Sequence, residues 1–161
     1  MTTTGIALAR FAAGSLGLLA GGFWLVMTLL SGDPQAASTG ALPIGGGLVL
    51  LCWDRLRLPA RRVAAAVAMI IPAGLAAGLA VERTVLGGMF GWFAYRGWPF
   101  TWLERGAAAD SPAEARRLAE ASDWAVEPFR LVVDVVLWAY AGLVLSAGVI
   151  LLVRALRGRR P

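Results

Sequence analysis

The sequence predicts an all-α protein, a polytopic four-helix transmembrane bundle with a helical, aromatic-rich extracytoplasmic cap between its third and fourth spans. Three observations carry that expectation. The chain is 58% hydrophobic and 16% charged, with a mean hydropathy of +0.69, whereas soluble domains carry about 25% charged residues. It contains uncharged runs close to a bilayer in length, each bounded by arginine or acid. Its arginines also gather on alternate connections, the asymmetry that orients multi-span proteins.

The first span is expected at 11–30, where Phe11 to Leu30 is free of charge and makes about 30 Å of helix. A secretory signal peptide with Arg10 as its basic region is the rival reading. Its apolar region would be about 7–15 residues, and this run is longer and holds Trp24, so the span is kept. Asp33 and Pro34 form a polar turn before a second span at 37–53, softened by Pro43 and the run Gly45, Gly46, Gly47. This weakest span either crosses, with arginines extending its end, or re-enters. The third span covers 63–81, with a kink expected at Pro72. The fourth covers 129–153 and opens at Pro128, a favoured first-turn residue, before a basic tail at 154–161.

Arg10, the Asp54–Arg62 turn and the tail together hold nine arginines against one acid, Asp54. The other connections hold six arginines against nine acids. The positive-inside rule therefore places both termini in the cytoplasm of a plasma (inner) membrane and the 84–127 cap outside it. Arginines that flank spans act as topology anchors and weak attractors of anionic lipid, not as a nucleic-acid groove. Small residues at four-residue spacing (Ala13, Gly17, Gly21; Gly74, Gly78; Gly142, Ser146) favour close helix packing, within the chain or between copies.

Several chemistries lose their usual residues. The basic residues are all arginine, and histidine and lysine are absent, which removes the common general base, the usual metal ligand and Schiff-base chemistry. Cys52 cannot form an internal disulfide, and as a site of acylation it competes with a simple packed thiol. The glycine run lacks the Lys and Ser/Thr of a phosphate loop. Glu104, Asp110, Glu114 and Glu120 show no spacing that singles out a catalytic pair. No enzyme, cofactor or metal is expected.

The stretch Gly88 to Arg105 concentrates seven aromatic residues. Trp and Tyr suit the hydrocarbon–headgroup boundary, so an interfacial anchor is the plain reading. Arginines beside the rings give a partner or lipid surface as the sharper one, made of Trp92, Arg96, Trp98, Phe100, Trp102 and Arg105. If this segment is helical, Arg96 lies one turn after Trp92, and Pro99 opens a short helix carrying Thr101 to Arg105. Ser111, Pro112 and Glu114 read as a capping box for a surface helix, with Arg116 and Glu120 paired along it.

Asp134, about one turn into the fourth span, is the most suggestive single residue. An ion pair with Arg130 or Arg83 accounts for it without transport, and Glu82 and Glu127 are expected to join that network. The function expected is non-catalytic: a small membrane protein that binds a protein partner or a second copy through its outer cap. A small transporter or channel with Asp134 and Glu82 in a proton or solute pathway is the alternative.

Overall fold

A computed structural model describes residues 3–31, 34–88 and 90–158. Asp33 of the expected polar turn and the last arginines of the tail lie outside these residues. The chain forms two compact units, Met1–Ile71 with Leu137–Pro161, and Pro72–Val136.

The first unit is helical. Helix α1 spans Thr3–Ser31 and α2 spans Pro34–Leu51. A single turn of helix, α3, follows at Trp53–Leu56 and ends at Arg57 in the left-handed conformation, φ 50°. Helix α4 covers Ala60–Gly78 and α6 covers Pro128–Arg157, each divided between the two units. Among the described residues three stretches are long and apolar enough to cross a membrane: Thr4–Ser31, Ala60–Gly78 and Pro128–Arg157. The second expected span falls on α2, whose apolar part, Thr39–Leu51, is shorter.

Glycine lets α1 and α2 pack backbone to backbone in antiparallel register. A Cβ on Gly14 would lie 3.1 Å from the Gly47 carbonyl oxygen, and one on Gly47 would lie 2.6 Å from that of Gly14. Gly21 and Gly40 repeat the reciprocal contact at 2.7 and 3.0 Å. Small residues permit this approach, and dispersion between the closely packed backbones then holds the pair. Tyr140 of α6 lies against Gly17 and Gly46, and its hydroxyl donates to the Ala13 carbonyl at 2.7 Å. Gly142 meets Val67 of α4, and Leu58, Val63 and Ala147 form a small buried cluster. The expected small-residue faces at Gly17, Gly21 and Gly142 thus pack within the chain. Near the start of α1, Arg10 pairs with Asp54 at 3.3 Å and lies over the Trp53 ring. Arg154 donates to the carbonyls of Leu56 and Arg57 at 2.7 and 2.8 Å, which closes the end of α3.

The second unit corrects the all-α expectation, because the cap contains a small β-sheet. Strands β1 (Glu82–Gly87), β2 (Gly91–Arg96), β3 (Leu103–Ala108) and β4 (Ala125–Val126) form an antiparallel sheet in chain order. One helix, α5 (Pro112–Ala121), packs on β2 and β3. The runs Thr84-Val85-Leu86 and Trp92-Phe93-Ala94-Tyr95 are β-branched and aromatic, and the glycines between them supply a turn. The expected helix at Thr101–Arg105 is instead the entry to β3. The N-cap half of the capping box forms: Ser111 Oγ accepts from the Glu114 N–H at 3.3 Å, and Pro112 opens the helix. Arg116 and Glu120 pair at 2.7 Å, and that hydrogen bond raises the Arg116 guanidinium above its ordinary pKa.

Candidate functional site

Strand alternation divides the aromatic stretch between two faces of the sheet. Trp92, Ala94 and Arg96 share one face with Arg105 and Leu103, because β2 pairs with β3 through Ala94↔Arg105 and Arg96↔Leu103. Helix α5 covers this face: Ala94, Ala115 and Ala119 are completely buried. Phe93 and Tyr95 lie on the opposite face with Val85, Arg83, Glu104 and Gly106.

The covered face is organised around Trp124, just beyond α5. The guanidinium carbons of Arg96 and Arg105 lie 4.8 and 4.5 Å from its ring centroid. Arg96 also donates from Nε and Nη2 to Glu82 Oε2, at 3.0 and 2.6 Å, across the directly opposed pair of β1 and β2. Arg105 Nη1 reaches the Glu120 carbonyl at 3.4 Å. Two of the six expected surface residues are therefore brought together on a ring that sequence reasoning left out. The expected Trp92–Arg96 stacking needed helical spacing, and in a strand Arg96 turns to Trp124 instead.

Trp98, Phe100 and Trp102 lie on the connection between β2 and β3. Gly97 bends this connection with φ 126°, and the Trp98–Pro99 peptide is cis. A Cβ on Gly78, at the end of α4, would sit 3.0 Å from the backbone nitrogen and oxygen of Trp98, so glycine is needed for the approach. The Trp102 N–H donates to Arg96 O at 3.0 Å, and its carbonyl accepts from the Glu127 N–H at 2.7 Å.

The opening turns of α6 grip the same connection. Asp134 is completely buried, and its Oδ1 accepts from the Phe100 N–H at 3.1 Å. Its Oδ2 has no hydrogen-bond partner among the described residues. Arg130, one turn earlier, donates to the Thr101 carbonyl at 3.2 Å and to its hydroxyl at 3.5 Å. The residues expected as one network thus separate. Glu82 goes to Arg96, Arg130 to Thr101 and Asp134 to an amide, while Arg83 stands opposite Tyr95 in the sheet. Glu127 enters through its backbone, accepting from Leu131 as α6 begins. Among the described residues the ion pairs are Arg10–Asp54, Arg96–Glu82 and Arg116–Glu120. No group of His, Cys, Asp or Glu among them could hold a metal ion.

On the opposite face the Phe93 ring lies over three glycines. Cβ atoms on Gly87 and Gly91 would stand 2.9 and 2.8 Å from Phe93 Cε2, and one on Gly106 would strike the ring itself. Aromatic cover of strand glycines restores packing that the missing side chains would have supplied. Beyond it Val85 is half exposed, and β1 is exposed at Glu82 through Leu86.

No protein-family model, curated protein or solved structure matches the chain.

Proposed function

We propose that this is a small, non-catalytic integral membrane protein that presents the sheet unit outside the cytoplasm as a docking module for a protein partner, as an accessory subunit would. The observation that carries the reading is the open edge of the sheet. Strand β1 pairs only with β2 in the sheet order and is exposed through its first five residues. An uncovered edge offers backbone N–H and C=O groups to an added strand, with side-chain pockets giving specificity. Folded proteins usually blunt such edges, and this one carries Val85 and Leu86 where a gatekeeper charge would be expected.

Orientation follows the arginine count. Arg10, the arginines around α3 and Arg154 belong to one unit and meet around Trp53 to Arg57. Their collection at one place supports reading them as a single cytoplasmic cluster. The transporter alternative draws less support, since Glu82 and Asp134 are engaged with different neighbours.

Extraction of the tagged protein from its native membrane in mild detergent tests the reading. A stoichiometric protein partner is expected, and Val85→Lys should release it while leaving the fold intact. Recovery of the chain with no bound protein, in both wild type and variant, would overturn it. For orientation, a cysteine replacing Ala113 should react with a membrane-impermeant maleimide in intact cells.

A further inference from the structure

We propose that the tip of the β1–β2 hairpin is a lipid-contacting element that dips into the headgroup layer of the bilayer. It rests on the membrane reading above and not on a protein partner. From Thr84 to Tyr95 the chain has no charged residue. At the far end of the ribbon Leu86 is 74% exposed and Phe90 49% exposed, with Val85 and Phe93 exposed on the face that α5 leaves open.

A tip built for water would use different residues. Gly87 opposes Gly91, and Phe90, which leads into β2, takes the left-handed conformation. Glycine or asparagine normally occupies such a position. Here it is Phe90 at φ 63°, which costs about 1 kcal/mol relative to a relaxed backbone. A strained aromatic at an exposed tip points to display of its ring.

The bilayer is the occupant that the surroundings favour. The same unit contains the opening turns of α6, where Phe129, Val132 and Val136 are exposed along a helix of membrane length. It also contains the end of α4 at Gly78, four residues before β1 begins. The chain from Gly78 to Gly88 reaches at most about 35 Å, so a bilayer surface at the end of α4 is within range of the tip. Charge returns only at the base of the ribbon, with Arg83 and the Glu82–Arg96 pair. The open edge of β1 also sets the depth: its unpaired backbone groups need water or headgroups and would be costly in hydrocarbon.

The test uses the full chain with Cys52→Ser, alone in lipid nanodiscs of phosphatidylcholine and phosphatidylglycerol. Phe90→Cys and Leu86→Cys are labelled in turn with an environment-sensitive nitrobenzoxadiazole dye, and Ala113→Cys on α5 serves as the water-exposed control. Blue-shifted emission, quenching by a nitroxide placed shallow on the acyl chain, and about three-fold protection from aqueous iodide relative to residue 113 are expected. The second position guards against misfolding caused by loss of Phe90. Emission and iodide quenching at both 86 and 90 equal to those at 113 would overturn the proposal, as would shielding without lipid quenching. No other protein is present, so the outcome is independent of whether a partner is ever recovered.

Discussion

The two units of this chain solve opposite problems with the same residue. In the helical unit, glycine is where backbones touch: Gly14 with Gly47 and Gly21 with Gly40 bring α1 and α2 together. In the sheet unit, glycine is where a ring lies, with Phe93 over Gly87, Gly91 and Gly106. Close backbone approach suits helices long and apolar enough to cross a bilayer, where water would give no driving force and fit alone would discriminate. Ring-over-glycine packing serves where apolar area still has to be hidden. Polar groups divide in the same way. The helical unit satisfies its backbone inside each helix, while the sheet unit leaves one edge to be satisfied from outside.

Substitution at the glycines should separate the units most sharply. Gly47→Ile forces a side chain against the Gly14 carbonyl and should cost about 3 kcal/mol or more, read as a lowered midpoint of unfolding in mixed detergent micelles. Gly22→Ile meets nothing within 4 Å and should leave the midpoint unchanged, and equal effects at both would break the contrast. In the sheet unit, Asp134→Ala removes the carboxylate that accepts from the Phe100 N–H and should cost about 1–2 kcal/mol. Hydrogen exchange should then rise at residues 97–102 and remain slow in α1. Asp134→Asn keeps the acceptor, so a loss equal to that of alanine would mean that charge, not the hydrogen bond, holds the connection. Trp124→Ala removes the ring shared by Arg96 and Arg105 and should cost about 1–2 kcal/mol, visible as earlier melting of the near-ultraviolet dichroism. Ser111→Ala takes the cap from α5 at about 1 kcal/mol, with fraying seen by exchange at the Glu114 amide.

The legibility of these features follows their range along the chain. Ser111 and Glu114, or Arg116 and Glu120, meet because helical geometry fixes neighbours three and four residues apart. The sheet was legible in principle: Thr84-Val85-Leu86 and Trp92-Phe93-Ala94-Tyr95 are short β-branched and aromatic runs that flank glycines as a hairpin does. An interfacial belt accounts for the same aromatics by composition alone and says nothing of strands. The partner of Asp134 was not legible. Arg130 is its nearest cation in sequence, yet the chain brings it an amide from Phe100, thirty-four residues away.

Composition and charge placement by themselves determined that this chain carries helices of membrane length and that its arginines gather on particular connections, while the helix bounds moved: α1 begins at Thr3 and α4 ends at Gly78. Hydrophobic transfer and helix capping act residue by residue, so they survive without knowledge of the fold. Only the tertiary structure decided that the cap is a sheet, that Trp124 receives two arginines, and that Asp134 and Arg130 clasp a connection and not each other. Strand pairing, ring stacking and buried hydrogen bonds join groups far apart in sequence. Which of several equally suitable partners is met is settled by the path of the chain.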